Sequence, residues 1–174
     1  MARLFFAIWP PGDVRDRVAE LARSLPLQPG ARLLVPQNLH LTLAFLGEVD
    51  EQTCESLKQG ASLIEAVEVS LTLDNLEKWQ KPRIACLLPS EYPAALGALA
   101  QRLVELARAS GISMQDRPYR PHVTLARKVS RAMPEHPVTP ISWKAEEFRL
   151  VESISTENGV KYESRARWPL KIVR

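Results

Sequence analysis

The alternation of apolar and polar side chains is clearest in two tetrapeptides, His40-Leu41-Thr42-Leu43 and His122-Val123-Thr124-Leu125. Side chains two apart on a strand share a face. Each tetrapeptide is therefore expected to be a strand with one imidazole and one hydroxyl on one side and two aliphatic residues on the other. The first motif strand is expected over Leu39 to Leu46, ended by Gly47. Elsewhere the pattern predicts a buried strand from Leu4 to Trp9, bounded by Pro10-Pro11-Gly12. Asp13 is a fitting N-cap for a helix with Val14, Val18, Leu21 and Leu25 inside. Arg32 to Val35 reads as a short strand, and Pro36-Gln37-Asn38 as a turn.

Asp50 suits the N-cap of a second helix facing inward through Cys54, Leu57, Ala61 and Ile64. Val67, Val69, Leu71 and Leu73 alternate with polar residues, which predicts a half-exposed strand. Asp74 to Pro82 reads as loop and Arg83 to Leu88 as a short apolar strand. Ser90 to Ser110 predicts a long helix closed by Gly111. A turn-rich run from Asp116 to Pro121 leads into the second motif, followed by a loop with Pro134, Pro137 and Pro140. His136 falls in that loop and reads as an exposed histidine. Phe148 to Ser155 and Val160 to Trp168 form a hairpin through Asn158-Gly159.

The two halves repeat as strand, helix, short segment and motif strand. Arg3-Leu4 matches Arg83-Ile84 at an offset of 80, and His40 matches His122 at an offset of 82. The expected fold is α+β: a bilobal, pseudo-symmetric domain over residues 1–174, with two antiparallel sheets backed by helices and a central cleft that carries both motifs. The simplest assembly turns the two motif faces toward each other.

Composition narrows the setting. Of 174 residues, 45% are hydrophobic and 25% charged, ordinary for a globular chain. The net charge of +3 does not demand nucleic acid, but Arg117, Arg120, Arg127, Lys128 and Arg131 form a basic run without an acid around the second motif. Such a run suits an anionic substrate such as phosphate. Two cysteines, Cys54 and Cys86, make neither a disulfide framework nor a zinc site, so reduced thiols in a cytoplasmic protein are expected. The N-terminal apolar run is too short for a membrane span.

Two of the three histidines share one frame, and that repetition points to chemistry. A pair of imidazoles can take and give a proton near neutral pH. Threonine hydroxyls and an arginine can hold phosphoryl oxygens. The motifs lack His-x-His or His/carboxylate groupings, so no metal is expected. Neither a Gly-x-Ser-x-Gly elbow nor a phosphate-binding glycine loop occurs. Arg127 and Arg120 are the candidate phosphate clamps. On an unbroken strand Arg127 would face the core, so it reaches the site only if the strand ends or bulges near Ala126. Arg120 has the right parity but precedes Pro121.

Taken together, Arg3 to Ile8, Asn38 to Gly47, Arg117 to Arg127 and Trp168-Pro169-Leu170 resemble the two-histidine phosphoesterases. Within them the chain is similar to the bacterial RNA 2′,3′-cyclic phosphodiesterases, also called 2′-5′ RNA ligases. The resemblance implies cofactor-free opening of an RNA-terminal 2′,3′-cyclic phosphate to a 2′-phosphate and joining of tRNA halves through a 2′-5′ bond. It implies His40 as proton donor, His122 as proton acceptor, and Thr42 and Thr124 as phosphate-holding residues. The basic run beside His122 points the same way, because nearby cations keep an imidazole neutral. RNA with a cyclic-phosphate end or a cyclic nucleotide is the expected partner, and the protein is expected to act as a monomer. Cys86 stands where such proteins often carry Trp, which leaves base preference open. Two alternatives remain: the same chemistry on 2′-5′ oligoadenylate or ADP-ribose cyclic phosphate, or a non-catalytic RNA-binding module.

Overall fold

The computed structural model describes residues 1–173. Along the chain run β1 (Ala2–Ile8), α1 (Gly12–Arg23), β2 (Arg32–Leu33), a 3-10 turn (Pro36–Asn38), β3 (Leu41–Val49), α2 (Glu51–Ser62), β4 (Val69–Leu73), β5 (Asn75–Trp79) and β6 (Ile84–Leu88). Then come α3 (Ala94–Ala109), β7 (Val123–Arg127), β8 (Ile141–Ala145), β9 (Glu147–Thr156) and β10 (Gly159–Pro169). The fold is α+β with two antiparallel sheets. One holds eight strands in the order β10-β9-β1-β3-β7-β6-β5, with β2 also paired to β7; the other is the pair β4-β8.

The pseudo-symmetry lies in the large sheet. β1 sits between β9 and β3, and β6 sits between β5 and β7. The two triplets meet at one register pair, Leu41 opposite Val123. Both motifs therefore lie side by side at the seam of one sheet. Beyond Val123 the edge of β7 pairs with β2 instead, through Arg32–Arg127 and Leu33–Ala126. Strand register places Phe5 opposite Phe45 and Ile84 opposite Arg127. The first strands of the two halves thus correspond at an offset of 79, so Ile84 matches Phe5 rather than Leu4.

Both motif strands bulge at the same place. Ala7 and Phe6 face Thr42 and Ala44, so Leu43 is an extra residue in β3; Cys86 and Ala85 face Thr124 and Ala126, so Leu125 is extra in β7. A bulge breaks the two-residue period. Leu43 and Ala44 both enter the main core, as do Leu125 and Ala126. The residues that follow, Phe45 and Arg127, come out on the exposed side with the threonines. Leu41, Val123 and Leu125 are buried against this core, and each contributes about 1.5–3 kcal/mol. Across it α3 packs on β3 and α2, while α1 packs on β7 and β8.

Several local expectations change. Asn75–Trp79 is a strand where the sequence reads as loop. Its residues are all exposed or half-buried, so no alternation marks it, and pairing with β6 creates it. Ile141–Ala145 is an additional strand that alternates buried and exposed against β4. Helix α1 starts at Gly12 behind Pro11, which puts Asp13 in the first turn rather than at the cap. There its charge favours the positive end of the helix dipole. Asp50 does cap α2, its carboxylate accepting from the Thr53 amide at 2.7 Å. Gly47 does not end β3; at φ 78° it carries the strand through a second register shift to Val49.

Candidate active site

His40, Thr42, His122 and Thr124 are partly buried, between neighbours that are fully buried. All four lie on the sheet face opposite the main core. The single register pair Leu41–Val123 sets the two motif strands side by side, so that both imidazoles and both hydroxyls share that face.

Backbone carbonyls orient both rings in the same way. His40 Nδ1 is 2.7 Å from the Asn38 carbonyl oxygen, and His122 Nδ1 is 2.8 Å from that of Arg120. A carbonyl can only accept, so the proton sits on Nδ1 and Nε2 is the nitrogen left for chemistry. The spacing is the same in each motif, two residues before the histidine. Pro36 and Pro121 rigidify these approaches.

The bulge at Leu125 resolves the parity of Arg127. Its guanidinium acts electrostatically on both imidazoles, depressing each. Lys128, at φ 57°, turns the chain immediately afterwards, and the Gln28 side-chain amide donates to its carbonyl at 2.8 Å. Arg120 is placed differently. It lies over the Trp79 ring, 4.6 Å from the centroid, and pairs with Glu77 at 2.9 Å. His136 is remote from the pair, in contact with Ser24 at 3.3 Å.

Aromatic rings wall the site, and the motifs alone do not reveal them. Trp9 stacks on His40 at 4.6 Å and 16°, with Phe5 and Tyr162 each 5.1 Å from the imidazole. Trp79 lies 4.4 Å from His122 at 54°. Parity in β1 puts Trp9 on the face of Phe5 and Ala7, a signal present in the sequence. Trp79 lies in the segment that reads as loop.

Burial and neighbouring cations lower both imidazole pKa values. Desolvation is the larger cause for His40, which falls to about 4 with further depression from Arg127 and His122. His122 is also lowered, chiefly by burial and then by Arg120 and Arg127. The basic residues therefore do not separate the two roles, since Arg127 bears on both rings and His40 is displaced to about 4. Among the described residues no three His, Cys, Asp or Glu side chains cluster as metal ligands would.

The model of the LigT like phosphoesterases matches residues 8–86 and again 87–162 of this chain. The chain belongs to that family. The first match contains the His40 motif and the second the His122 motif. An RNA 2′,3′-cyclic phosphodiesterase of Escherichia coli (strain K12) is 36% identical over 171 residues, covering 97% of this chain and 96% of the relative. One from Thermus thermophilus is 30% identical, covering 97% and 90%. The crystal structure of E. coli LigT complexed with 3′-AMP superposes with a TM-score of 0.92 at 34% identity, over 97% of this chain and 98% of that one. Among the described residues no helix of this family member is long and apolar enough to cross a membrane.

Proposed function

We propose that this protein hydrolyses the 2′,3′-cyclic phosphate at an RNA end to a 2′-phosphomonoester without a metal or cofactor. One observation carries the reading: two imidazoles with Nδ1 tied to carbonyls present Nε2 on one face, with Arg127 acting on both. Relatives at up to 36% identity that bear this activity in their names support the substrate class. Thr42 and Thr124 hold the non-bridging oxygens, and Arg127 neutralises their charge. His40 is the proton donor and His122 the proton acceptor. His122 Nε2 takes a proton from water as it attacks phosphorus, the P–O3′ bond breaks, and His40 delivers its proton to O3′. The 2′ ester bond is kept.

Burial disfavours a charged His40, whose pKa is held at about 4. The substrate supplies the compensation: a phosphodiester anion beside the ring favours its charged form. Arg120 serves this site from behind Trp79, as a second and weaker cation for substrate.

The natural partner is RNA with a cyclic-phosphate end, tRNA halves or cyclic nucleotides included. The same ring opening, with the 5′-hydroxyl of a second RNA end attacking phosphorus in place of water and O3′ leaving, reversibly joins such ends through a 2′-5′ bond. Residues 1–174 act as one bilobal, monomeric domain in the cytoplasm, a reading supported by a site drawn from both halves and by two free, buried cysteines. The test is incubation of an oligonucleotide ending in a 2′,3′-cyclic phosphate with the protein in EDTA. The expected product is the 2′-phosphate. An unopened ring, or turnover that needs an added divalent ion, contradicts the proposal.

A further inference from the structure

Each histidine is the first layer of a stack that continues through an indole to a guanidinium and a carboxylate. On one side His40 meets Trp9 at 4.6 Å, the Arg149 guanidinium lies 5.6 Å from the Trp9 ring, and Glu147 pairs with Arg149 at 2.9 Å. On the other, His122 meets Trp79 at 4.4 Å, Arg120 lies 4.6 Å from that ring, and Glu77 pairs with Arg120 at 2.9 Å. The stacks differ in how the carboxylate is used. Glu77 Oε2 accepts from Arg120 and also from Trp79 Nε1 at 2.7 Å, whereas Glu147 Oε1 accepts from Arg149 alone in its stack. Glu77 and Trp79 are two apart on β5, opposite Cys86 and Ile84, and so share the site face.

The carboxylate thus fixes two neighbours of His122 at once. Trp79 is held edge-on by its only donor, and Arg120 is held on the ring while its own carbonyl accepts from His122 Nδ1. A guanidinium this close to a neutral-or-charged imidazole raises the free energy of the charged form, and the Glu77 charge offsets it. We infer that Glu77 is the positioning residue of the His122 half, fixing Trp79 and Arg120 around the imidazole and setting its proton affinity. This rests on the acid–base reading of His122 given above. The other groups that bear on this ring are Arg127 on the same strand and His40 across the seam, while Cys86 on β6, opposite Glu77, feels Glu77 and Arg120. Glu77 is the carboxylate bound within the stack, so its charge is the one that opposes Arg120 there.

The proposal is tested by following the His122 imidazole resonances against pH in the free, full-length protein. Glu77→Gln keeps an oxygen for the Trp79 N–H and removes the charge. Its His122 midpoint should fall below that of the parent, and Glu77→Gln combined with Arg120→Gln should bring it back up. Turnover of a cyclic-phosphate-ended oligonucleotide supplies a second readout. Glu77→Ala, which frees both neighbours, should lose about 10- to 100-fold in kcat, a displacement-sized effect, and Glu77→Gln should recover most of it. An unchanged or raised His122 midpoint in Glu77→Gln overturns the inference. The titration needs no substrate, so absent turnover with a shifted midpoint counts against the proposed reaction and leaves the inference standing.

Discussion

The two halves of the site hold their histidines by one device and surround them differently. Both rings are anchored through Nδ1 to the carbonyl two residues earlier, and both motif strands bulge after the threonine. Beyond the bulge the halves part: the first presents Phe45, half-exposed with Arg3 5.1 Å from its ring, and the second presents Arg127. His40 is enclosed by Trp9, Phe5 and Tyr162, whereas Trp79 is the aromatic partner of His122. The halves thus share the placement of the imidazoles and differ in what surrounds them, a cation after the bulge in one and an apolar enclosure in the other. An asymmetric reaction needs that asymmetry, because donor and acceptor act on opposite sides of phosphorus.

The largest effect should come from the shared device. His40→Ala and His122→Ala should each lose roughly 10²- to 10⁴-fold in kcat, and the double variant should be little worse than the more damaged single one, as for groups that act as a unit. Single-turnover assays on a cyclic-phosphate-ended oligonucleotide measure this. Full additivity would mean that the halves act independently.

Next comes the position after the bulge. Arg127→Ala should cost about 10²-fold or more through lost charge stabilisation, whereas Phe45→Ala should cost far less in kcat. Equal losses would remove the proposed division between the halves.

Much of this contrast was legible in the chain. The repeated His-x-Thr frame located the two imidazoles, and the parity of Arg127 allowed it to reach the site only if the strand ended or bulged near Ala126. The bulge itself has a trace, since Leu43-Ala44 and Leu125-Ala126 place two core residues in succession where strict alternation allows one. β5 left none, because Asn75-Leu76-Glu77-Lys78-Trp79 is an edge strand with neither face fully buried. With it Glu77 and Trp79 were lost to sequence reasoning. Trp9 was read as part of a buried strand, although its parity with Phe5 and Ala7 assigns it to the site face. The offset of 80 failed by one residue because matching arginines do not mark strand register, which cross-strand pairing sets.

A smaller effect concerns pH and stability. His40 is depressed from 6.5 to about 4 in the folded state, so the unfolded chain binds a proton that the native protein excludes between those values. Stability at neutral pH should therefore be lost as pH falls from about 6.5 toward 4, and a shift of that size corresponds to about 3 kcal/mol. Urea titrations should show a shallower loss over this window for His40→Gln than for the parent. An equal slope would place the burial penalty elsewhere.

The smallest effect belongs to the basic run. Each phosphate neutralised on single-stranded RNA should lower log K by about 0.7 per tenfold rise in salt. Arg120→Gln should remove less of that slope than Arg127→Gln, because Glu77 already pairs with Arg120. Equal reductions in a binding titration would show that the Glu77 pair opens for RNA.

The division of labour between the halves is tested most directly with a cyclic substrate whose bridging 3′-oxygen is replaced by sulfur. Thiolate leaves with little need of a proton, so only the proton donor becomes dispensable. His40→Ala should recover much of its lost rate on this analogue while His122→Ala stays slow. Recovery by His122→Ala, with His40→Ala still slow, would contradict the assignment and exchange the roles of the two halves.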